Sequence, residues 1–149
     1  MSKFLHFLAV AFTSLLLMAS PQTGRAADGG GLADYKYVLH ISEGSEEKQT
    51  LILNNASNLL EAYPPGAVDI EVVAYGPGLR LMFADNVNAQ RLDSLSQSGV
   101  RFSACGNTLK GMAKQLGYTP ELNKVAKVVP GGIVRIGELA KQGYIYVKP

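Results

Sequence analysis

The feature that most constrains the fold of this sequence is a regular alternation between strand-like and helix-like patterns. Five short apolar stretches rich in β-branched or aromatic residues are separated by stretches whose apolar residues recur at helical spacing. Alternating strands and helices are typical of a parallel sheet covered by helices on both faces. The predicted strands are residues 37–41, 68–75, 100–104, 125–129 and 144–147.

Helix signals fill the stretches between these strands. Ser45, followed by Glu46 and Glu47, is a typical N-cap with acidic residues in the first turn, and the prolines at 64 and 65 end that helix. The stretch 79–88 has apolar residues without a clean period and predicts a turn or short helix packed under the sheet edge. Three further helices are predicted at 88–98, from Cys105 to Gly117 and from Ile133 to Gly143.

These elements predict a three-layer α/β/α fold with a five-stranded parallel sheet, flavodoxin-like in architecture. Ligands of such sheets bind outside the carboxyl ends of the strands, where this chain has loops of small residues. The sequence leaves the strand order open. The order 2-1-3-4-5 would place Cys105 beside His40 and Glu43, whereas 4-3-2-1-5 would place it beside Gly76-Pro77-Gly78.

The first 26 residues have the pattern of an export signal. Lys3 precedes an apolar run from Phe4 to Met18, and Gly24-Arg25-Ala26 provides small residues for a signal peptidase. We expect cleavage after Ala26 and a periplasmic protein that is soluble and free of the membrane. Residues 27–36 are then a flexible leader, and residues 37–149 form one α/β domain.

Charge and motif content exclude several classes of function. Of the 14 basic residues, loss of Lys3 and Arg25 leaves 12, equal to the 12 acidic residues. A neutral chain without a basic stripe does not favour nucleic-acid binding. Gly76-Pro77-Gly78 lacks a dinucleotide or phosphate-loop motif, and His40 and Cys105 alone are too few for a metal site, so we expect no cofactor and no metal.

The chain's single cysteine, Cys105, lies where a strand pattern changes into a helical one. Unpaired N–H groups and the positive end of the helix dipole favour a thiolate at such a junction. One cysteine cannot form an internal disulfide. The thiol is therefore buried and inert, paired between chains, or reactive, and we interpret it as a functional thiol in a catalytic position.

Small and polar residues beside Cys105 are the candidate substrate-binding set. Asn107 and Thr108 could orient a substrate but are also ordinary helix-start residues, and Gly106 would leave the backbone open beside the sulfur. His40 has apolar neighbours, so we interpret it as a core or sheet-face histidine rather than a general base. The predicted binding residues are Gly106, Asn107, Thr108, Gly76, Gly78 and Gly131.

Three motifs resemble the DsrE/DsrF-like family of sulfur-relay and sulfur-oxidation proteins, in particular its exported single-domain members. The motifs are Val73-Ala74-Tyr75-Gly76-Pro77-Gly78-Leu79, the stretch from Gly99 to Leu109 around Cys105, and the stretch from Val129 to Pro149. The resemblance implies a small α/β fold that forms homo-oligomers. It also implies that Cys105 can carry sulfur as a persulfide and exchange it with a sulfur donor or acceptor protein.

Two functions of different classes remain at this stage. One is a periplasmic sulfur carrier, at most transferase-like, that holds sulfane sulfur on Cys105 and acts with a partner thiol. The other is a non-catalytic oligomeric binding or assembly module in which Cys105 is structural and buried. An intersubunit disulfide at Cys105 is a third possibility and predicts a dimer on non-reducing gels.

The export signal predicts a defined mature mass. The protein recovered from the periplasm should begin at Ala27, because Gly24-Arg25-Ala26 fits the signal-peptidase site. Intact-mass spectrometry of the exported protein measures this directly. Retention of residues 1–26 would contradict the prediction.

Overall fold

The structure, a computed structural model, describes residues 33–149. The expected signal peptide and residues 27–32 of the expected leader lie outside the described residues. Among residues 33–149, none of the helices is long and apolar enough to cross a membrane. The elements are β1 (Tyr35–Ile41), α1 (Glu46–Ala62), β2 (Val68–Ala74), a 3₁₀ helix (Gly76–Met82), α2 (Ala89–Gln97), β3 (Arg101–Cys105), α3 (Gly106–Leu116), β4 (Ala126–Val129), α4 (Gly132–Lys141) and β5 (Ile145–Val147).

The predicted alternation of strands and helices is confirmed, with two local differences. β1 begins at Tyr35 because Tyr35 and Lys36 pair with β2, so these two residues belong to the strand rather than to the leader. The segment predicted under the sheet edge is a 3₁₀ helix against the central strands β2 and β3. Leu79, Leu81 and Met82 are fully buried there, and because a 3₁₀ helix has three residues per turn, their spacing does not follow the α-helical period.

The five strands are parallel and lie in the order β4-β3-β2-β1-β5. This order selects the second of the two alternatives and is not the 2-1-3-4-5 order. Cys105 pairs with Val129 on β4, and its strand lies beside β2, which ends before Gly76. His40, on β1, is one strand further away.

The handedness of the crossovers decides which helix covers which face. The steps β1 to β2 to β3 to β4 all move in one direction across the sheet, so right-handed connections put α1, α2 and α3 on the same face. The step from β4 to β5 returns across the sheet and puts α4 on the other face. The first face carries the main core with Leu39, Val72 and Phe102, whereas α4 packs Ile136 and Leu139 on Val38 and Val73.

A buried ionic network occupies the face that α4 covers. Glu71 on β2 is 1% exposed and accepts hydrogen bonds from Arg135 Nε and Nη2 (2.7 and 2.8 Å) and from Ser103 Oγ (2.7 Å). Arg101 Nη1 lies 2.7 Å from the same carboxylate, and Arg101 Nη2 donates to Asp69 at 2.8 Å. Because Arg135 is on α4, this network holds α4 on the sheet. Within the described residues, α4 is the only helix on this face.

Two carboxylates that pair with Arg135 provide a matched test of this network. Glu71→Ala should lower the free energy of unfolding by about 2–3 kcal/mol, because it removes the buried carboxylate that Arg101, Arg135 and Ser103 share and leaves the two partly exposed arginines with Asp69 and Glu138 alone. Glu138→Ala removes an exposed partner 3.4 Å from Arg135 and should cost less than about 1 kcal/mol. Urea unfolding followed by circular dichroism compares the variants, and equal losses would contradict the assignment.

Candidate functional site

Cys105 is the last residue of β3 and the N-cap of α3. Its side chain is 5% exposed. Gly106, the first residue of α3, is also buried, and a Cβ there would lie 3.1 Å from the Val129 carbonyl oxygen and 3.3 Å from Val128 Cγ1. Gly106 therefore lets α3 begin against β4. We expected Gly106 to leave open space beside the sulfur, but β4 occupies the space on this side.

After the neighbouring strands β3 and β4, the chain continues on opposite faces of the sheet. From β3 the chain enters α3 on the first face, and from β4 it enters α4 on the second. Such a divergence opens a crevice at the carboxyl ends of neighbouring strands, where ligands of parallel sheets bind. Cys105 lies at this point, and a Cβ at Gly132 would be only 3.3 Å from Cys105 Cβ. Two helices thus begin beside one sulfur.

Backbone N–H groups at the start of both helices, together with the Thr108 hydroxyl, affect the pKa of the thiol. Burial opposes ionisation and is the largest single influence on the pKa of Cys105. It is outweighed by the Thr108 hydroxyl and by the backbone N–H groups of Thr108, Gly132 and Asn107, which together lower the pKa below the ordinary value of a thiol. These donors are neutral, and the N–H groups belong to the first turns of α3 and α4, where they lack helical partners.

Thr108 connects the thiol to the loop after β2. Its Oγ1 accepts a hydrogen bond from the Gly76 N–H at 3.1 Å, which leaves its own hydrogen for the Cys105 sulfur. Gly76 has φ +54, a conformation that favours glycine and turns its N–H toward α3. Thr108 and Gly76, both predicted from the sequence as binding residues, therefore act as a pair that positions a donor on the sulfur.

The other predicted binding residues divide into two groups. The Asn107 N–H also donates to the Pro130 carbonyl at 3.3 Å, and its side-chain Nδ2 lies 3.7 Å from where a Cβ of Gly131 would be, so both residues border the crevice. Gly78 instead packs on the end of β1. Its N–H donates to the Ser42 carbonyl at 3.0 Å, and a Cβ would lie 2.6 Å from the Ile41 carbonyl oxygen. Gly78 thus has a packing role away from the sulfur.

Gly132 and Tyr75 also lie at the site, although neither is among the binding residues predicted from the sequence. A Cβ at Gly132 would lie 2.9 Å from Tyr75 Cδ1, so only glycine lets the tyrosine ring and the start of α4 approach each other this closely. The Gly132 N–H is also one of the backbone groups that lower the pKa of Cys105. The paired glycines at 131 and 132 were the available signal, but the sequence did not show which one faces the thiol.

His40 contacts the site through Tyr75. The two rings stack with centroids 4.5 Å apart, and His40 Nδ1 lies 2.7 Å from the Tyr146 hydroxyl. The side chain is 4% exposed, and Nε2 has no hydrogen-bond partner among the described residues. Burial lowers the pKa of His40, the nearby Lys148 charge lowers it further, and Glu43 partly opposes both. The structure agrees with our interpretation of His40 as a sheet-face histidine, and its lowered pKa favours the neutral form, although only one of its ring nitrogens has a hydrogen-bond partner among the described residues.

Comparison with known families identifies the chain. The model of the DsrE/DsrF-like family matches residues 36–149, which include the whole sheet from Lys36 onward and all four α-helices. The chain belongs to the DsrE/DsrF-like family. The resemblance drawn from the motifs around Gly76, Cys105 and Gly131 is therefore confirmed. Comparison with curated proteins finds no match.

Solved structures of similar proteins share the fold of this DsrE/DsrF-like chain. A protein of unknown function from Methanobacterium thermoautotrophicum is 33% identical, with a TM-score of 0.71, over 78% of this chain and all of its own. A conserved protein of unknown function from Bacteroides thetaiotaomicron is 18% identical, with a TM-score of 0.51, over 76% of this chain and 94% of its own. The second likeness shows the fold alone.

Removal of the Thr108 hydroxyl should raise the pKa of Cys105 in this DsrE/DsrF-like protein. Thr108→Val keeps the shape of the side chain but loses the donor to the sulfur, so the alkylation rate at pH 7 should fall about threefold to tenfold. The measurement is the rate of iodoacetamide alkylation against pH, followed by intact mass.

Two further variants serve as controls for this measurement. Thr108→Ser retains a hydroxyl and should restore the wild-type profile, and Asn107→Ala retains its backbone donor and should leave the profile in place. A Thr108→Val profile identical to that of the wild type would show that the hydroxyl does not act on the sulfur.

Proposed function

We propose that this protein carries sulfane sulfur as a persulfide on Cys105 and passes it to a thiol of a partner protein. One observation carries the proposal. The Cys105 thiol is nearly buried at the point where α3 and α4 begin, and the Thr108 hydroxyl and the backbone N–H groups of these two N-termini lower its pKa. This environment favours a thiolate, the form of cysteine that attacks sulfur. Sulfur-relay members of the DsrE/DsrF-like family give the same chemistry a precedent.

The transfer consists of two exchange steps. In the first, the Cys105 thiolate attacks the outer sulfur of a donor persulfide R–S–SH, a new S–S bond forms at Cys105, and the donor leaves as R–S⁻ with the electron pair of the broken S–S bond. In the second, a partner thiolate attacks the outer sulfur of Cys105–S–SH, and Cys105 leaves as a thiolate. Each step conserves atoms and charge, and neither needs an oxidant.

The surroundings of Cys105 suit a carrier. The groups of the described chain that act on its sulfur donate hydrogen bonds, and they stabilise the negative sulfur both before attack and as it leaves. Burial at 5% exposure shields a persulfide from bulk solvent and from chance thiols. A lowered thiol pKa reduces the need of a carrier for a general base of its own.

We propose that this chemistry takes place in the periplasm, which the expected export signal supports, and that a homo-oligomer is the working form. Disulfide formation is favoured in that compartment, which makes shielding of the sulfur important.

The near-complete burial of Cys105 also supports the second candidate, a non-catalytic binding or assembly module with a structural cysteine. Reactivity of the thiol separates the two functions.

The sulfur-carrier function predicts a specific mass change. Mature protein incubated with polysulfide, thiosulfate or glutathione persulfide should gain about 32 Da, one sulfur atom, which dithiothreitol removes. Cys105→Ser should gain nothing, because it lacks the accepting sulfur. Intact-mass spectrometry under native conditions measures the adduct.

Two results would reject the carrier function. One is the absence of an adduct with every donor of sulfane sulfur. The other is a thiol that resists alkylation until the protein unfolds, which would support the assembly module. A dimer that disappears from gels under reducing conditions would instead assign Cys105 to an intersubunit disulfide.

A further inference from the structure

Large apolar side chains surround the mouth of the Cys105 crevice on the outside of the protein. Val128, Ile133 and Val134 are 52%, 66% and 60% exposed. Val128 Cγ1 adjoins Gly106 on one side of the thiol, and Val134 Cγ2 adjoins Gly131 on the other, with Ile133 next to it on α4. We call these three residues the apolar rim. An apolar cluster next to a reactive group is typical of the centre of a binding surface.

The strand beneath the apolar rim is an open edge of the sheet. β4 pairs with β3 on one side, and in the described part of the chain no strand pairs with its other side. Free N–H and C=O groups on such an edge accept an added strand from another chain. Because Val129 is the register partner of Cys105, an extended segment on β4 would run past the crevice.

Lysines border the apolar rim. Lys127 is exposed on β4, and Lys110 is exposed on α3, one helical turn beyond Gly106 and on the same stripe, with Lys114 a further turn along. None of the three takes part in an ion pair within residues 33–149. An apolar centre with unpaired cations at its border is complementary to an acidic partner.

We propose that the apolar rim with Lys110, Lys114 and Lys127 docks an extended acidic segment of a partner protein, and that this segment carries the thiol that exchanges sulfur with Cys105. The inference rests on the proposed function. At 5% exposure Cys105 is reached by a narrow segment rather than by a flat surface. A second copy does not offer such a thiol, because its single cysteine is buried in its own crevice.

A binding experiment without sulfur chemistry tests the docking surface. The probes are two fluorescent 12-residue peptides, one rich in Asp and Glu and one rich in Lys and Arg, each with a central Leu-Ser-Leu in which serine replaces the transferring cysteine. They are titrated with the Cys105→Ser protein, and fluorescence anisotropy is recorded at low and high salt. The acidic peptide should bind at least about threefold more tightly at low salt, and the difference should shrink as salt screens the lysines.

Matched variants separate this surface from a general charge effect. Lys110→Gln with Lys127→Gln should weaken binding of the acidic peptide about threefold to tenfold, whereas Lys48→Gln with Lys141→Gln makes the same change in net charge elsewhere and should leave it unchanged. Val134→Ser should weaken binding, and Ile145→Ser on the opposite edge strand should not.

The outcomes separate this inference from the carrier function. Equal binding of both peptides, or binding unaffected by Lys110→Gln with Lys127→Gln, would overturn the docking surface. Sedimentation that shows self-association lost in Val134→Ser would assign the surface to a second copy and also overturn it. If the acidic peptide binds but no 32 Da adduct forms, the docking surface stands and the carrier function fails. If the adduct forms but the acidic peptide does not bind, the carrier function stands and the docking surface fails.

Discussion

Right-handed crossover connections are the constraint on which the site of this protein depends. Once the sheet grows from β1 through β4 in one direction, the connecting helices must lie on one face, and the return to β5 must place α4 on the other. The chain therefore turns toward opposite faces of the sheet after β3 and after β4. The N-termini of α3 and α4 lie close together at this edge, and Cys105 lies between them.

Two helix N-termini provide a form of thiolate stabilisation that differs from pairing with lysine or arginine. The N–H groups of Asn107, Thr108 and Gly132 are held by the backbone, so their positions are fixed by the fold, and they are screened by salt less than a surface cation. Burial alone would have kept the thiol neutral. The balance between burial and fixed donors gives a sulfur that is shielded and still ionisable.

The ionic network under α4 connects fold stability to this site. Arg135 lies one turn after Gly132 on the same helix, and its bidentate contact with the buried Glu71 fixes α4 over the sheet. The Gly132 N–H and the contact of Tyr75 with Gly132 both depend on that position. The Glu71–Arg135 pair therefore links the packing of α4 on the sheet to the position of the Gly132 N–H near Cys105.

The sequence by itself determined the elements and the thiol. Apolar periodicity, the Ser45 cap and the glycine and proline breaks defined nearly every strand and helix, because these signals are local. Cys105 stood out because a strand pattern ends there and a helix begins. Only the tertiary structure decided the strand order, and with it the separation of Gly78 and His40 from the thiol and the arrival of Gly132 and Tyr75 beside it. These residues come together through strand pairing and through the crossover connections, and such long-range contacts produce no periodic pattern in the sequence.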